Sequence, residues 1–247
     1  MPPHDSENAE MPLWQHLDEL RQAIFRSLIA LSIGFAIAYY FSDELVHFLE
    51  QPLLQLLPEG RAHLYYTGLT DKFVVYLKVC LVAGLFFISP YLLYEIWRFV
   101  SPGLVRNEKR FLVPFLFFGT VSFVLGLVFA YTVVIPYGYA FLIGFGSPTD
   151  QAIITLTEYF GLTLKLLLAL GLVFEVPVAL VLLGKFGIVD SKMLARNRRY
   201  AAVAASVVAA VATPSPDAMT MILVLIPLYL LYEAGVLGVR LVERTAS

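Results

Sequence analysis

Long runs of apolar residues, separated by short polar segments, dominate the chain. Six runs have the length or hydropathy of membrane spans: Ile24–Phe41, Phe73–Trp97, Phe111–Ile135, Tyr159–Lys185, Tyr200–Ala212 and Ala218–Gly238. About 20 helical residues cross a bilayer core, and the 39 uncharged residues between Arg110 and Asp150 exceed that length. The pattern therefore predicts an all-α integral membrane protein with six transmembrane helices.

The last two predicted spans contain only short uncharged runs. Only 17 uncharged residues separate Arg199 from Asp217, and only 15 lie between Asp217 and Glu233. These segments could form two thin spans or one re-entrant hairpin. Either arrangement leaves both termini on the same side of the membrane.

The composition supports the membrane class. The chain is 59% hydrophobic and 15% charged, with a mean hydropathy of +0.77, whereas about a quarter of the residues of a soluble domain are charged. The net charge of −2 argues against nucleic-acid binding, and a single cysteine excludes an intrachain disulfide. The first ten residues carry three acids and no base, unlike a signal or transit peptide.

The basic residues indicate the orientation. One set of segments, namely the N-terminal arm, the loops near residues 98–110 and 185–199, and the C-terminal tail, holds 13 of the 17 Lys and Arg residues. The positive-inside rule therefore predicts that both termini are cytoplasmic. The expected organisation is a cytoplasmic amphipathic arm over residues 1–23, a transmembrane domain over 24–238 and a cytoplasmic tail over 239–247.

The polar residues give little support to an enzyme. All four histidines lie outside the predicted spans, and no aspartate lies within one, so an intramembrane Ser–His dyad or aspartyl pair is not available. The sequence also contains no H-E-x-x-H or other metal-ligand spacing. We therefore expect no catalytic residues, no metal and no cofactor.

Two acidic positions on the predicted cytoplasmic side admit two interpretations each. The segment Leu13–Arg26 has an apolar stripe at helical spacing, with Glu19 on the polar face. It is either an interfacial anchor or a docking surface for a basic peptide. Glu108 lies among several bases and is either half of a weak local ion pair or a functional acid.

Glu175 is an acidic residue deep within a predicted span. It lies ten residues, or about 15 Å along a helix, from both Lys165 and Lys185. A charged side chain near the midplane costs about 2.5–3.5 kcal/mol on insertion scales. Glu175 is therefore protonated, faces a polar cavity or contacts another helix. It could be a hydrogen-bonded residue between helices or a functional acid.

The order of short motifs resembles that of one family, TatC, the multispanning receptor subunit of the twin-arginine protein translocase. The matching stretches are Leu13-x-x-His16-Leu17-x-Glu19-Leu20-Arg21, Gln51-Pro52-Leu53, Ser89-Pro90, Phe99-x-Ser101-Pro102-Gly103-Leu104 leading to Glu108, Phe129-Ala130-Tyr131, Phe174-Glu175-Val176-Pro177, Pro214-Ser215-Pro216-Asp217 and Pro227-x-x-x-x-Tyr232-Glu233. Each motif is weak alone, but their joint order from residue 12 to about 235 is specific.

The resemblance implies a fold and a function. It implies six helices forming a concave, glove-like wall in a prokaryotic plasma (inner) membrane, with both termini cytoplasmic. It further implies that the chain binds the Arg-Arg signals of folded cargo, forms homo-oligomers in the receptor complex, and assembles with single-span TatA-type and TatB-type partners for export driven by the proton-motive force. A secondary transporter with Glu175 as its proton-coupling residue is the alternative.

The resemblance also implies roles for individual residues. Glu19 and Glu108 correspond to acids that receive the arginines of the signal, and Arg21 and Phe99 are further positions of the signal-binding site. Glu175 corresponds to the acid of an intramembrane cavity or partner contact. The remaining motif positions are Pro52 and Asp217. The chain departs from the pattern at Ala23, where many members have a second base, and at Val105, where an aromatic residue is frequent.

Overall fold

The computed structural model describes residues 13–57, 63–100, 112–146, 153–213 and 218–246, and these are almost entirely helical. The helices are α1 (Leu13–Tyr40), α2 (Ser42–Leu54), α3 (Asp71–Phe87), α4 (Ser89–Val100), α5 (Leu112–Phe129), α6 (Ile135–Gly144), α7 (Leu156–Phe174), α8 (Val176–Lys185), α9 (Ser191–Arg196), α10 (Arg198–Ala212) and α11 (Ala218–Ala246). A five-residue π-helix, Ala130–Val134, joins α5 to α6. The expectation of an all-α fold is thus confirmed.

Four continuous helical segments of the described residues are long and apolar enough to cross a membrane. They are Leu17–Tyr40, Leu112–Gly144, Leu156–Lys185 and Thr220–Glu243. The pair α3 and α4 forms a fifth if its two halves make one span. Helix α10, which contains the fifth predicted span, has only 15 residues, as its short apolar run suggested.

The amphipathic arm and the first predicted span form one helix. Helix α1 runs without interruption for 28 residues, so residue 23 lies inside it. Between Leu13 and Gly34 nothing in the sequence breaks a helix, because neither glycine nor proline occurs there. Glu19 is therefore held on a rigid extension of a membrane-crossing helix.

The second predicted span is bent. Helices α3 and α4 meet at Ile88 at an angle of 57°. Pro90 lies in the first turn of α4, where it has no amide hydrogen to donate, and the Ser89 hydroxyl donates to the carbonyl of Phe86 at 2.8 Å. Because of the bend, α4 runs in a different direction from α3.

Between the first and second predicted spans lies a helix that the sequence analysis did not predict. Helix α2 buries Val46, Leu49 and Leu53 against the core, at helical spacing. It follows the C-terminal end of α1, so it lies at the opposite end of the bundle from Glu19; we name this end the cap end. An isolated β-bridge between Tyr65 and Thr155 joins two further segments there.

The third predicted span ends later than expected. After the π-helix, the chain stays helical past Ile135 and along α6 to Gly144. Within the π-helix the Tyr131 hydroxyl donates to the carbonyl of Phe48 at 2.7 Å, and the two rings stack with centroids 4.4 Å apart. The π-helix thereby attaches α2 to the span.

The last predicted span, Ala218–Gly238, lies within α11 but is not short. Helix α11 has 29 residues and continues beyond Glu233, the charge that interrupts its apolar run. Arg198 on α10 neutralises that carboxylate, with Nε 2.7 Å from Glu233 Oε1. Because the charge is paired, it does not end the helix. The last helix is therefore long rather than short.

Candidate functional site

A groove between α1 and α4 brings two of the predicted site regions together. Its volume is about 380 Å³, and its walls are mostly apolar. Leu20 and Ala23 line it from α1, and Ile96 and Phe99 line it from α4. Glu19 is half-buried on α1 next to this groove. The structure thus brings the segment that carries Glu19 close to Phe99, 80 residues later in the chain.

Arg21 points into a different cavity. With Asp18, Gln22, Phe25 and Arg26 it lines a depression of about 330 Å³. Its guanidinium carbon lies 5.7 Å from the centre of the Phe25 ring, which is within cation–π range. Arg21 therefore occupies another side of α1 from the groove.

An ion pair connects α1 to α4 beside the groove. Arg26 Nε lies 3.0 Å from Glu95 Oε1, and Arg26 Nη2 lies 3.1 Å from Glu95 Oε2. The Tyr91 hydroxyl donates to the same Oε1 at 2.9 Å. Only 3% of Glu95 is exposed. The sequence analysis missed this pair, although two charges of opposite sign within predicted spans were the available signal.

The other predicted site residues are distributed differently. Glu108 and Asp217 lie outside the described residues. Pro52 is buried near the end of α2, at the cap end. Most of the length of α1, about 32 Å from Glu19 to Tyr40 at 1.5 Å per residue, separates that end from Glu19. The structure therefore does not place Pro52 at the groove.

Glu175 lies at a break in its span. It is the single residue between α7 and α8, where Pro177 in the first turn of α8 cannot continue the hydrogen-bond ladder. Its Oε1 is buried and has no hydrogen-bond partner among the described residues. A methyl group added at Gly119 of α5 would lie 3.4 Å from Oε2. The carboxyl group thus faces a neighbouring helix with unused hydrogen-bonding capacity.

At the cap end, the Asp71 carboxylate is held by the loop before α3. Oδ2 accepts from the amides of Gly68, at 2.7 Å, and Thr67, at 3.2 Å. These hydrogen bonds stabilise the ionised form and lower the pKa of Asp71 below its ordinary value. Within the described part of the chain, no group of three or more His, Cys, Asp or Glu side chains is placed to hold a metal ion.

Comparison with known proteins gives one consistent result. A family model described as "Sec-independent protein translocase protein (TatC)" matches residues 15–227. The protein of that name from Desulforapulum autotrophicum is 43% identical over 234 residues, which cover 95% of this chain and 86% of the relative. The one from Magnetococcus marinus is 40% identical over 233 residues, or 94% of this chain and 85% of the relative.

Solved structures agree with the sequence relatives. A crystal structure of the "Twin Arginine Translocase Receptor- TatC" superposes with a TM-score of 0.80 at 36% identity, covering 92% of this chain and 99% of the other. A second crystal structure of that receptor, "in DDM", gives a TM-score of 0.79 at 35% identity, covering 90% of this chain and 98% of the other. The resemblance inferred from the ordered motifs is therefore confirmed.

Proposed function

Because the chain belongs to the TatC family of Sec-independent protein translocase proteins, we propose that it is the core receptor component of a twin-arginine translocase. In this role it binds the Arg-Arg signal peptides of folded proteins and takes part in their transport across the membrane, and it does not catalyse a chemical reaction. The observation that carries the proposal is the family match over nearly the whole chain. The meeting of the Glu19 segment with Phe99 at one groove supports the location of the site.

The signal's arginines bind to Glu19 and Glu108. A carboxylate accepts two parallel charge-assisted hydrogen bonds from a guanidinium group, which gives geometric selectivity over lysine. Phe99 adds an aromatic surface at the groove, on which a guanidinium or an apolar residue of the signal packs. Arg21, which lines the neighbouring depression, contributes from the other side of α1.

Single-span partners of the TatA and TatB types assemble with the chain inside the membrane. Glu175 is the proposed contact or cavity residue, because its buried Oε1 has hydrogen-bonding capacity that the described residues do not use. The family positions Pro52 and Asp217 serve the fold or the assembly rather than direct contact with the arginines. The receptor complex contains several copies of the chain, and export uses the proton-motive force.

The proposed location is a prokaryotic plasma (inner) membrane, with both termini in the cytoplasm. The cytoplasmic excess of Lys and Arg supports this orientation. Residues 1–23 form the cytoplasmic arm, residues 24–238 the transmembrane domain and residues 239–247 the tail. The continuous helix α1 then carries Glu19 from the membrane to the cytoplasmic surface.

The test is signal binding by membranes that contain the full chain and its partners. We expect Glu19→Gln and Glu108→Gln each to raise the dissociation constant of an Arg-Arg signal peptide about tenfold or more, the effect of losing a hydrogen bond to a charged group. A Lys-Lys peptide should change less. Glu44→Gln, an exposed acid on α2, is the matched control and should bind as the wild type does.

Export in cells provides the second readout. In a strain without its own TatC, the wild-type chain with its partners should export a folded Arg-Arg reporter. If the double variant Glu19→Gln, Glu108→Gln bound the signal peptide and exported the reporter as the wild type does, the signal-binding site would lie elsewhere. Uptake of a small solute without reporter export would favour the transporter alternative.

A further inference from the structure

The ion pair between Arg26 and Glu95 has a role that the family motifs quoted above do not assign, since none of them contains either residue. We propose that this pair fixes the spacing between α1 and α4 and thereby positions Glu19 and Phe99 for signal binding. Arg26 and Glu95 are positioning residues in this proposal, and neither touches the signal. The inference rests on the proposed function, because it concerns the geometry of the same site.

The pair lies on the helix faces that carry the site. Glu19 and Arg26 are seven residues apart on α1, which places them within about 20° of the same face and about 10.5 Å apart along the axis. Glu95 and Phe99 are four residues apart on α4 and share one face, about one turn apart. A constraint at the ion pair therefore acts on Glu19, about two turns away on α1, and on Phe99, about one turn away on α4.

The geometry of the pair is restrictive. Both guanidinium hydrogen bonds must form at once, so they fix the direction as well as the distance between the helices. Tyr91 holds the carboxylate from its own helix, which prevents Glu95 from turning away. Burial of Glu95 adds to the constraint, because an unpaired buried charge is strongly disfavoured.

The rest of the contact beside the groove does not impose the same spacing. The groove is lined by aliphatic residues such as Ile24, Leu28 and Leu92. Apolar contacts are non-directional and allow the helices to shift with little change in buried area. The bend at Ile88 also gives α4 a different direction from α3. Packing of α3 on α1 therefore does not determine the position of α4 relative to α1.

The experiment uses the full chain with its partners in membranes and compares Arg26→Lys and Glu95→Gln with the wild type. Lysine keeps the charge but makes no bidentate contact, and glutamine keeps the shape but loses the charge. We expect each variant to insert in normal amounts and to raise the dissociation constant of an Arg-Arg signal peptide about threefold to tenfold. Spin labels at Leu17 and Ile96 should report a broader distance distribution between α1 and α4.

The pair between Arg198 and Glu233 provides the matched control. It has the same chemistry, with Arg198 Nη2 2.7 Å from Glu233 Oε2, but joins α10 to α11. Arg198→Lys and Glu233→Gln should leave signal affinity unchanged. If Arg26→Lys and Glu95→Gln also bind the signal as the wild type does, the positioning role is refuted. If the wild type itself binds no Arg-Arg signal, the proposed function fails instead.

Discussion

The close contact between α1 and α3 predicts that Gly84→Ala destabilises the protein. A Cβ atom at residue 84 would lie 2.7 Å from the amide nitrogen of Phe35 and 2.8 Å from the carbonyl carbon of Gly34. These are backbone atoms of α1, so they cannot move aside as a flexible side chain would. The two helices must separate to accept the methyl group.

The size of the effect follows from the distances. Non-bonded carbon contacts are optimal at about 3.5–4.0 Å, so the methyl group is too close by about 0.8 Å. Overpacking of this kind costs about 1–3 kcal/mol, and replacing glycine by alanine within a helix returns about 0.5–1 kcal/mol. The expected net loss of unfolding free energy is about 0–2.5 kcal/mol.

Gly161→Ala on α7 is the control, because nothing lies within 4 Å of a Cβ atom there. Only the helix-propensity gain remains, so this variant should be more stable by about 0.5–1 kcal/mol. The measurement is the free energy of unfolding in mixed detergent micelles, followed by far-UV circular dichroism. If Gly84→Ala were as stable as Gly161→Ala, the described contact between α1 and α3 would be wrong.

Three further predictions concern separate parts of the chain. Glu175→Gln should export a reporter better than Glu175→Ala, and Glu175→Arg worst, because arginine forces a permanent charge into the membrane; equal export per inserted protein in all three would contradict this. A cysteine at Thr67 should react with an impermeant reagent from outside intact cells, and one at Lys192 should not; the opposite labelling would invert the topology. The lowered pKa of Asp71 means that the fold favours its ionised form, which accepts the hydrogen bond from the Gly68 amide. Protection of this amide against hydrogen exchange should therefore be complete at neutral pH and should fall as the pH drops through the lowered pKa. Hydrogen exchange measures this, and Asp71→Asn should remove the pH dependence.

Hydropathy predicted the helical membrane class because lipid requires each spanning segment to satisfy its own backbone hydrogen bonds. It predicted the short length of α10, and it placed Glu175 inside a span. It could not predict that Glu175 lies at the junction of α7 and α8. That position depends on how Pro177 and the neighbouring helix act together, which a count of apolar residues does not include.

Interactions between distant residues account for most of what the sequence analysis missed. Arg26 and Glu95 are 69 residues apart, so no local period connects them. Helix α2 was not predicted because its apolar face is short and its other face is charged. The last span was described as short because its uncharged run stops at Glu233, and a charge counts against a span unless its partner on another helix is known.

The π-helix at Ala130–Val134 makes the third span sensitive to the number of its residues. A π-turn holds one more residue than an α-turn, so it shifts the phase of every side chain that follows. If all five residues adopted regular α-helical geometry instead, α6 would rotate by about 100° relative to α5. Tyr139, which donates to the carbonyl of Tyr159 from the buried side of α6, would then turn out of the core. Deleting one residue of the π-helix lets the remaining four form an α-turn with α6 in place, so this deletion should be better tolerated than a single-residue deletion within α6.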